Sequence, residues 1–186
     1  MWHLNVLRKM TIEGSKDVDL SNEVNEMEWQ ALRSLRFVRF NNFPKLVSLP
    51  MGLQHVTSLQ TLQIWHCPSL MSISEWICNL TSLQSLYIWG CPKLTSLPKG
   101  MHDLTSLQTL QIKDCPNLTS LPEGMRGLTS LQTLQIKDCP ILLQRCKSDK
   151  GVDWPKIAHI PNLEVSAPKL QFFNKSLVLS HFFSFL

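Results

Sequence analysis

Four of the six cysteines recur at a fixed interval, and they are the first residues whose spacing could support chemistry. Cys67, Cys91, Cys115 and Cys139 lie 24 residues apart, and each is followed by proline. Thiols at regular spacing can bind a metal, form disulfides or pack as small apolar side chains. No C-x-x-C pair occurs, and the neighbouring His66 has no second pair of ligands at a metal-binding spacing. The sequence therefore predicts no metal site, and we interpret the four thiols as reduced and buried.

The amino terminus bears on whether these thiols form disulfides. Residues 1–9 lack the apolar run and the small-residue cleavage site of a secretion signal, so we expect a cytoplasmic protein. A reducing compartment disfavours disulfides, although cysteines in successive stacked repeats would be close enough to form them. Three glycosylation tripeptides, at Asn79, Asn117 and Asn174, would matter only in a secreted protein. An extracellular receptor fragment is therefore a minor alternative.

Other catalytic signatures are missing from the sequence. No phosphate-binding G-x-x-x-x-G-K-[ST] loop, no G-x-S-x-G and no H-E-x-x-H is present. We therefore predict no catalytic residues, no cofactor and no enzyme activity. The formal net charge is +4 without a dense basic stripe, and residues 17–28 carry five acidic side chains and no basic one. This charge pattern disfavours nucleic-acid binding.

The 24-residue interval of the cysteines extends through the middle of the chain. The triplet Thr-Ser-Leu begins at Thr57, Thr81, Thr105 and Thr129, within the pattern L-x-x-L-x-x-L-x-I-x-x-C-P-x-L-x-x-L-P. A weaker unit precedes these, and the first unit, from Leu4, is lengthened to 28 residues by the acidic segment. Units of this length and leucine spacing are typical of leucine-rich repeats, and about six are present.

The pattern within one unit predicts its local structure. The L-x-L alternation has the period of a β-strand with its apolar side chains on one side. The proline of Cys-Pro ends the strand because it has no N–H to donate. Further leucines return to the interior through an irregular or 3-10 segment, and Gly100 and Gly124 allow the turn into the next coil. The predicted fold is an α/β-type solenoid, a leucine-rich-repeat horseshoe with a parallel concave β-sheet and an irregular or 3-10 convex side. Helical repeats are disfavoured, since the units that begin at Leu32, Leu80 and Leu104 each contain two prolines.

The outward residues of the predicted strands would line the concave side of the solenoid, a surface that we call the concave face. In register they form columns; one column places Trp65 and Trp89 on adjacent coils, and the next places Tyr87 beside them. Exposed Trp, Tyr and Arg are the residue types that dominate binding hot spots. The alternative is that these rings only cover the sheet or pack on each other. The residues of the predicted protein-binding site are Arg39, Gln63, Trp65, His66, Tyr87, Trp89, Gln111, Lys113, Asp114 and Lys137.

The consensus LTSLQ-L-I--CP-L-SLP-GM--LTSL resembles the repeats of plant intracellular nucleotide-binding leucine-rich-repeat disease-resistance proteins of the coiled-coil class. The closing segment, residues 139–165, is also similar to the end of those proteins. The residues that match this ending are Cys146, Asp153, Trp154, Pro155, Ile157, His159, Ile160 and Pro161. The resemblance implies a protein-recognition module of innate immunity. It would sense a pathogen effector or a guarded host protein, or restrain a nucleotide-switch module that this chain does not contain. The alternative is a general intracellular scaffold, or a truncated decoy, that binds another host protein.

The repeat and the ending together set the expected domain boundaries. We predict one repeat domain over residues 4–165, with residues 139–165 as a cap in which Trp154 covers the last coil. Residues 166–186 are an apolar tail outside the solenoid, too short and too interrupted for a transmembrane helix, so membrane contact is not expected. No cap precedes Leu4, so the first coil would expose core leucines, which suggests a fragment or truncated product of low solubility.

Overall fold

The sheet of this protein follows the repeats one strand at a time. A computed structural model describes residues 6–15 and 29–167, and seven strands within them form one sheet in chain order. The strands are β1 (Lys9–Glu13), β2 (Phe37–Asn41), β3 (Thr61–Trp65), β4 (Ser85–Trp89), β5 (Thr109–Lys113), β6 (Thr133–Lys137) and β7 (Asn162–Ser166). Each strand pairs in parallel with the next, which is the arrangement of a solenoid. The predicted fold class is confirmed.

The strand register agrees with the columns read from the sequence. Thr11 pairs with Arg39, Arg39 with Gln63, and Gln63 with Tyr87, and the same column continues through the next two strands. Successive strands from β2 to β6 are offset by one 24-residue repeat, whereas β1 and β2 are offset by the longer first unit. Residues that are one repeat apart therefore lie side by side on the sheet.

Alternation along each strand separates the core from the concave face. In β4, Leu86 and Ile88 are buried with 1% exposure, whereas Ser85 and Tyr87 are half-buried on the opposite side. The same alternation holds from β2 to β6, so the buried positions stack into continuous columns. Full burial of one such side chain contributes about 1.5–3 kcal/mol. Because one coil buries few of its leucines alone, the core depends on stacking between coils.

Short 3-10 segments form the side of each coil opposite the sheet. Those in the described residues are Met51–His55, Glu75–Asn79, Met101–Asp103, Glu123–Gly127 and Trp154–Lys156. Gly124 permits close packing there, since a β-carbon would lie 2.5 Å from the carbonyl oxygen of Lys99. Gly100 has an ordinary φ of −76°, and a β-carbon there would have normal contacts. The turn therefore requires glycine at position 124 but not at position 100.

The tight turn of each coil directly follows its strand. Asn42, His66, Gly90, Asp114 and Asp138 occupy this position with φ values of 59°, 52°, 67°, 54° and 56°. Glycine, Asn, Asp and His are the residues found most often in this left-handed region. The backbone N–H of each of the first four donates to the carbonyl that ends the next strand, over 2.8 to 3.0 Å. The positive φ at these positions therefore accounts for their polar residues and glycine, whether or not they contact a ligand.

Substitution of Asp114 should reveal this backbone role. We expect Asp114→Gly to change the free energy of unfolding by less than about 1 kcal/mol, because glycine adopts positive φ freely. Asp114→Val should be less stable than Asp114→Gly by about 1–2 kcal/mol, since a β-branched residue is strained there. Urea unfolding of the two variants measures the difference. The same pair at Asp103, in a 3-10 segment, serves as the control; equal stability of both Asp114 variants would contradict the assignment.

The four repeated cysteines lie just beyond the strands and inside the core. All four are buried, and each thiol donates to a carbonyl oxygen two residues earlier, as Cys139 does to Lys137 over 3.1 Å. Hydrogen bonding between neighbouring thiols, together with burial, raises the pKa of Cys67 and Cys115 above the ordinary thiol value. The predicted burial is confirmed, and these thiols act as small side chains that end each strand.

The closing segment contributes a strand as well as a cap. It forms helix α1 (Pro140–Arg145) and a 3-10 turn before β7, which pairs with β6 along its whole length. Leu163 and Val165 extend the inward columns of the sheet. The closing segment thus adds a seventh strand to those of the six repeat units, and this strand extends to Ser166. Residues 168–186 of the predicted tail lie outside the described residues.

A buried ionic cluster joins this closing segment to the preceding coil. Asp153 ion-pairs with Arg145 over 2.8 Å and with Lys156 over 2.9 Å, and it accepts a hydrogen bond from the backbone N–H of Leu121 over 3.1 Å. The Lys156 ammonium donates to the carbonyl of Leu121 over 2.7 Å and lies 3.0 Å from Glu123. Burial raises the pKa of Asp153, but the hydrogen bonds from Arg145 and Lys156 outweigh it and hold this pKa below its usual value.

Several residues of the closing segment that match the plant disease-resistance proteins thus have structural roles in this chain. Ile157 and Ile160 are buried in the core, and Trp154 packs against it partly buried. Burial raises the pKa of the Cys146 thiol to about 12. Together with the Asp153 cluster, these contacts fix the end of the solenoid.

A candidate protein-binding surface on the concave face

Two tryptophans at the ends of neighbouring strands form the centre of the concave face. The rings of Trp65 and Trp89 meet edge to face, with centroids 5.4 Å apart and an interplanar angle of 84°. This is a preferred geometry for aromatic pairs. They are brought together because they are paired positions of β3 and β4. Trp89 is 36% exposed and Trp65 is half-buried, so the pair packs on itself and still presents apolar surface.

A cation lies over each tryptophan ring. The guanidinium of Arg39 lies 3.9 Å from the centroid of Trp65, and the ammonium of Lys113 lies 4.4 Å from the centroid of Trp89. Such contacts contribute about 0.5–1 kcal/mol at exposed sites. Arg39, Trp65, Trp89 and Lys113 therefore form one continuous group across four strands, which we call the cation–tryptophan row.

Within the part of the chain that the structure describes, neither cation of this row has an acidic partner. Arg39 donates from Nε to Oε1 of Gln63 over 2.7 Å, and among residues 6–15 and 29–167 no carboxylate forms an ion pair with Arg39 or Lys113. Lys137, in contrast, pairs with Glu164 of β7 over 2.8 Å. Two positive charges thus remain available on the concave face.

A groove of about 410 Å³ runs along this face beside the row. Its walls combine aromatic rings with amide and ammonium groups, and its floor includes Ile88 and Ile112. The outward residues that line it are Gln63, Trp65, Tyr87, Trp89, Gln111, Lys113, Gln135 and Lys137. Apolar surface bordered by a few polar groups is the usual composition of a binding site.

Some of the predicted site residues lie outside this groove, and others line it but are only partly exposed. His66 stacks on Trp89 with centroids 6.4 Å apart, beside the groove rather than in it. Asp114 lies at a left-handed turn and borders a separate hollow between prolines. Tyr87 lines the groove but is half-buried, so the cluster is less exposed than the sequence suggested.

Two residues of the surface are absent from the predicted site. Gln135 lines the groove, although it is not among the predicted binding residues. Glu164 belongs to β7, whose offset from β6 departs from the 24-residue repeat, so only the Leu163-x-Val165 alternation could have revealed it. The buried indole N–H of Trp65 also has no hydrogen-bond partner in the described part of the chain. A buried donor of this kind costs about 1–3 kcal/mol.

No group of three or more His, Cys, Asp or Glu side chains in residues 6–15 and 29–167 could hold a metal ion. In the same residues, no helix combines the length and the apolar character that crossing a bilayer requires.

The stacked coils and the open strand face define a class of protein, the repeat scaffolds that bind partners on a parallel sheet. A family model described as "Leucine-rich repeat region" matches residues 1–148, and the chain belongs to this family. Members of this fold typically serve as interaction scaffolds without enzymatic activity, so the family and the fold indicate a protein-binding module.

Solved structures of leucine-rich repeat proteins are similar to this chain. The chain is similar to a leucine-rich repeat protein of Leptospira interrogans, with 30% identity and a TM-score of 0.60, over 72% of this chain and 32% of that chain. It therefore spans about a third of that protein. It is also similar to the leucine-rich repeat domain of the type III effector XopL, with 21% identity and a TM-score of 0.47, over 89% of this chain and 70% of that chain. No curated protein sequence matches the chain.

Proposed function

We propose that this chain is a protein-recognition module of plant innate immunity, and that it binds its partner on the concave face. The partner would be a pathogen effector, a guarded host protein or the nucleotide-binding module of a receptor. The repeat domain over residues 4–165 would supply the surface, and no cofactor would take part. Its place of action would be the cytoplasm.

The cation–tryptophan row is the observation that supports binding on this face. A stable sheet surface does not require two tryptophans, a guanidinium and an ammonium on four adjacent strands, where no carboxylate of the described residues pairs with either cation. Trp, Tyr and Arg are enriched among residues that dominate interface energetics. The groove beside the row offers enough apolar surface for a partner side chain to dock.

The closing segment supports the plant receptor class. Its resemblance rests on residues 153–161, and several of these form the buried cluster and the core contacts that fix the end of the solenoid. Such a segment belongs to the end of a repeat domain. The general scaffold remains the second candidate, because the repeats themselves would suit any protein partner.

The mass of the native product separates these two candidates. An antibody raised against residues 147–165 would capture the protein from its source tissue, and mass spectrometry would identify the peptides in the band. We expect a product much larger than 21.3 kDa, with peptides from a phosphate-binding loop. A product of about the mass of this chain alone would instead favour a stand-alone scaffold or decoy.

A further inference from the structure

The positions of the unpaired cations specify the chemistry of a partner. Arg39 lies on β2 and Lys113 on β5, with β3 and β4 between them. Strands in a sheet are about 4.8 Å apart, so the backbones of the two residues are separated by roughly 14–16 Å across the concave face. The two charged groups are closer together, because each lies over a tryptophan ring between the two residues. An extended chain spans roughly 13 Å in four residues at about 3.3 Å each, and side chains four residues apart point to the same side. Two carboxylates at that spacing could each reach one cation.

The surface between the two cations suits the backbone of an extended peptide. Gln63, Tyr87 and Gln111 form one column across β3, β4 and β5. Each carries a side-chain group that can donate and accept hydrogen bonds, and all three line the groove. A peptide that crosses the strands would therefore find polar partners between its two charged residues and the apolar edge of the tryptophan pair beside them.

A single-stranded nucleic acid is the other polyanion that such a face could bind, and the ring geometry disfavours it. Nucleobases bind by stacking on open aromatic faces. Here the Trp65 ring is covered by Arg39, while the Trp89 ring is contacted by Lys113 and by the stacked imidazole of His66.

We propose that the concave face binds an extended acidic peptide segment of its partner protein, with two carboxylates four residues apart held by Arg39 and Lys113. This inference rests on the proposed function, since it names the chemistry of the segment that the same surface recognises. The carboxylates replace water as partners of the two cations, while the cations keep their positions over the tryptophan rings.

Fluorescence anisotropy with defined probes tests this inference. The probes are fluorescein-labelled decaglutamate, decaglutamine and a ten-nucleotide uridine RNA. We expect saturable binding of decaglutamate, with decaglutamine and the RNA each at least tenfold weaker. A Gly-Ser decapeptide with two glutamates four residues apart should bind more tightly than its isomer with adjacent glutamates. Equal binding of the RNA, or no saturable binding of decaglutamate, would overturn the inference.

Charge-reversal variants assign the binding to the two cations. The double variant Arg39→Glu and Lys113→Glu should weaken decaglutamate binding at least tenfold. Because Lys150 is exposed in the closing segment, Lys150→Glu combined with Lys147→Glu changes the net charge equally and should leave binding within twofold. Equal losses in both double variants would show attraction by net charge alone and contradict the site.

The two proposals can fail separately. If a natural partner binds through Trp65 and Trp89 but decaglutamate does not bind, the acidic-peptide inference is wrong and the concave-face function stands. If decaglutamate binds through Arg39 and Lys113 but partner binding is independent of the tryptophans, the proposed function is wrong.

Discussion

Replacement of Asp153 by asparagine is expected to lower the free energy of unfolding of the closing segment by about 3 kcal/mol. The Asp153 side chain is 1% exposed and pairs with both Arg145 and Lys156. Breaking a buried pair by removing one partner costs about 3–5 kcal/mol, because a buried charge is left uncompensated. The lower end applies here, since Lys156 keeps its contact with the exposed Glu123.

Two readouts measure this loss. Urea unfolding gives the free energy, and alkylation of Cys146, buried in the same segment, reports local opening. Alkylation of Cys146 should accelerate in Asp153→Asn more than alkylation of Cys78, which is buried in the middle of the solenoid. Asp149→Asn makes the same chemical change at an exposed residue of the closing segment and should shift stability by less than about 0.5 kcal/mol. An equal effect of the two substitutions would show that the cluster does not hold the segment.

The same cluster predicts the response to acid. The pKa of Asp153 in the folded chain lies below its ordinary value, so the unfolded chain binds the proton more readily. The contribution of this carboxylate is therefore complete above the ordinary aspartate pKa of about 3.9 and is lost as the pH falls below it, through the folded value. In Asp153→Asn this part of the acid sensitivity should be absent.

If both charges are removed together, as in Asp153→Asn with Lys156→Met, part of the lost stability should return.

Much of the fold follows from the sequence because one physical pattern is repeated. Leu86 and Ile88 are one example of a pair of apolar residues, two positions apart, that recurs along the sheet. This two-residue spacing predicts a β-strand and also predicts which of its faces is buried. The register needed no further information, since parallel strands one repeat apart pair at equivalent positions. The concave columns could be written down for the same reason.

The strand in the closing segment could not be predicted from the 24-residue repeat. Leu163 and Val165 carry the inward pattern of a strand, but a helix and a 3-10 turn precede them and break the repeat. Their pairing with β6 depends on tertiary packing. The Asp153 cluster contributes to that packing through contacts with Leu121, which lies in the preceding coil. Side-chain geometry was also beyond prediction: the sequence places Arg39 and Trp65 on one face, but only the structure shows the Arg39 guanidinium over the Trp65 ring.

The turn column shows a different limit. His66 and Asp114 were predicted as binding residues because they are polar and follow the strands. Both have positive φ values, of 52° and 54°, and this backbone requirement selects polar residues or glycine without any ligand. A column position alone therefore does not separate a binding role from a turn role.

The affinity of a variant in which both tryptophans are replaced shows whether the concave face is the binding surface. The wild-type repeat domain would be used to isolate its partner from the source tissue, and the dissociation constant would be measured with the purified partner. Trp65→Ala with Trp89→Ala should weaken binding at least about a hundredfold, since hot-spot residues each contribute about 2 kcal/mol or more. This truncation also removes the platforms of Arg39 and Lys113.

The control for this measurement lies off the concave face. Met51 and Met71 are exposed by 60% and 55%, so Met51→Ala with Met71→Ala removes apolar surface without touching the sheet, and we expect it to leave affinity unchanged. Circular dichroism and urea unfolding would confirm that both double variants are folded. A hundredfold loss confined to the tryptophan variant is the result that this account predicts. Unchanged affinity of a folded tryptophan variant would contradict it.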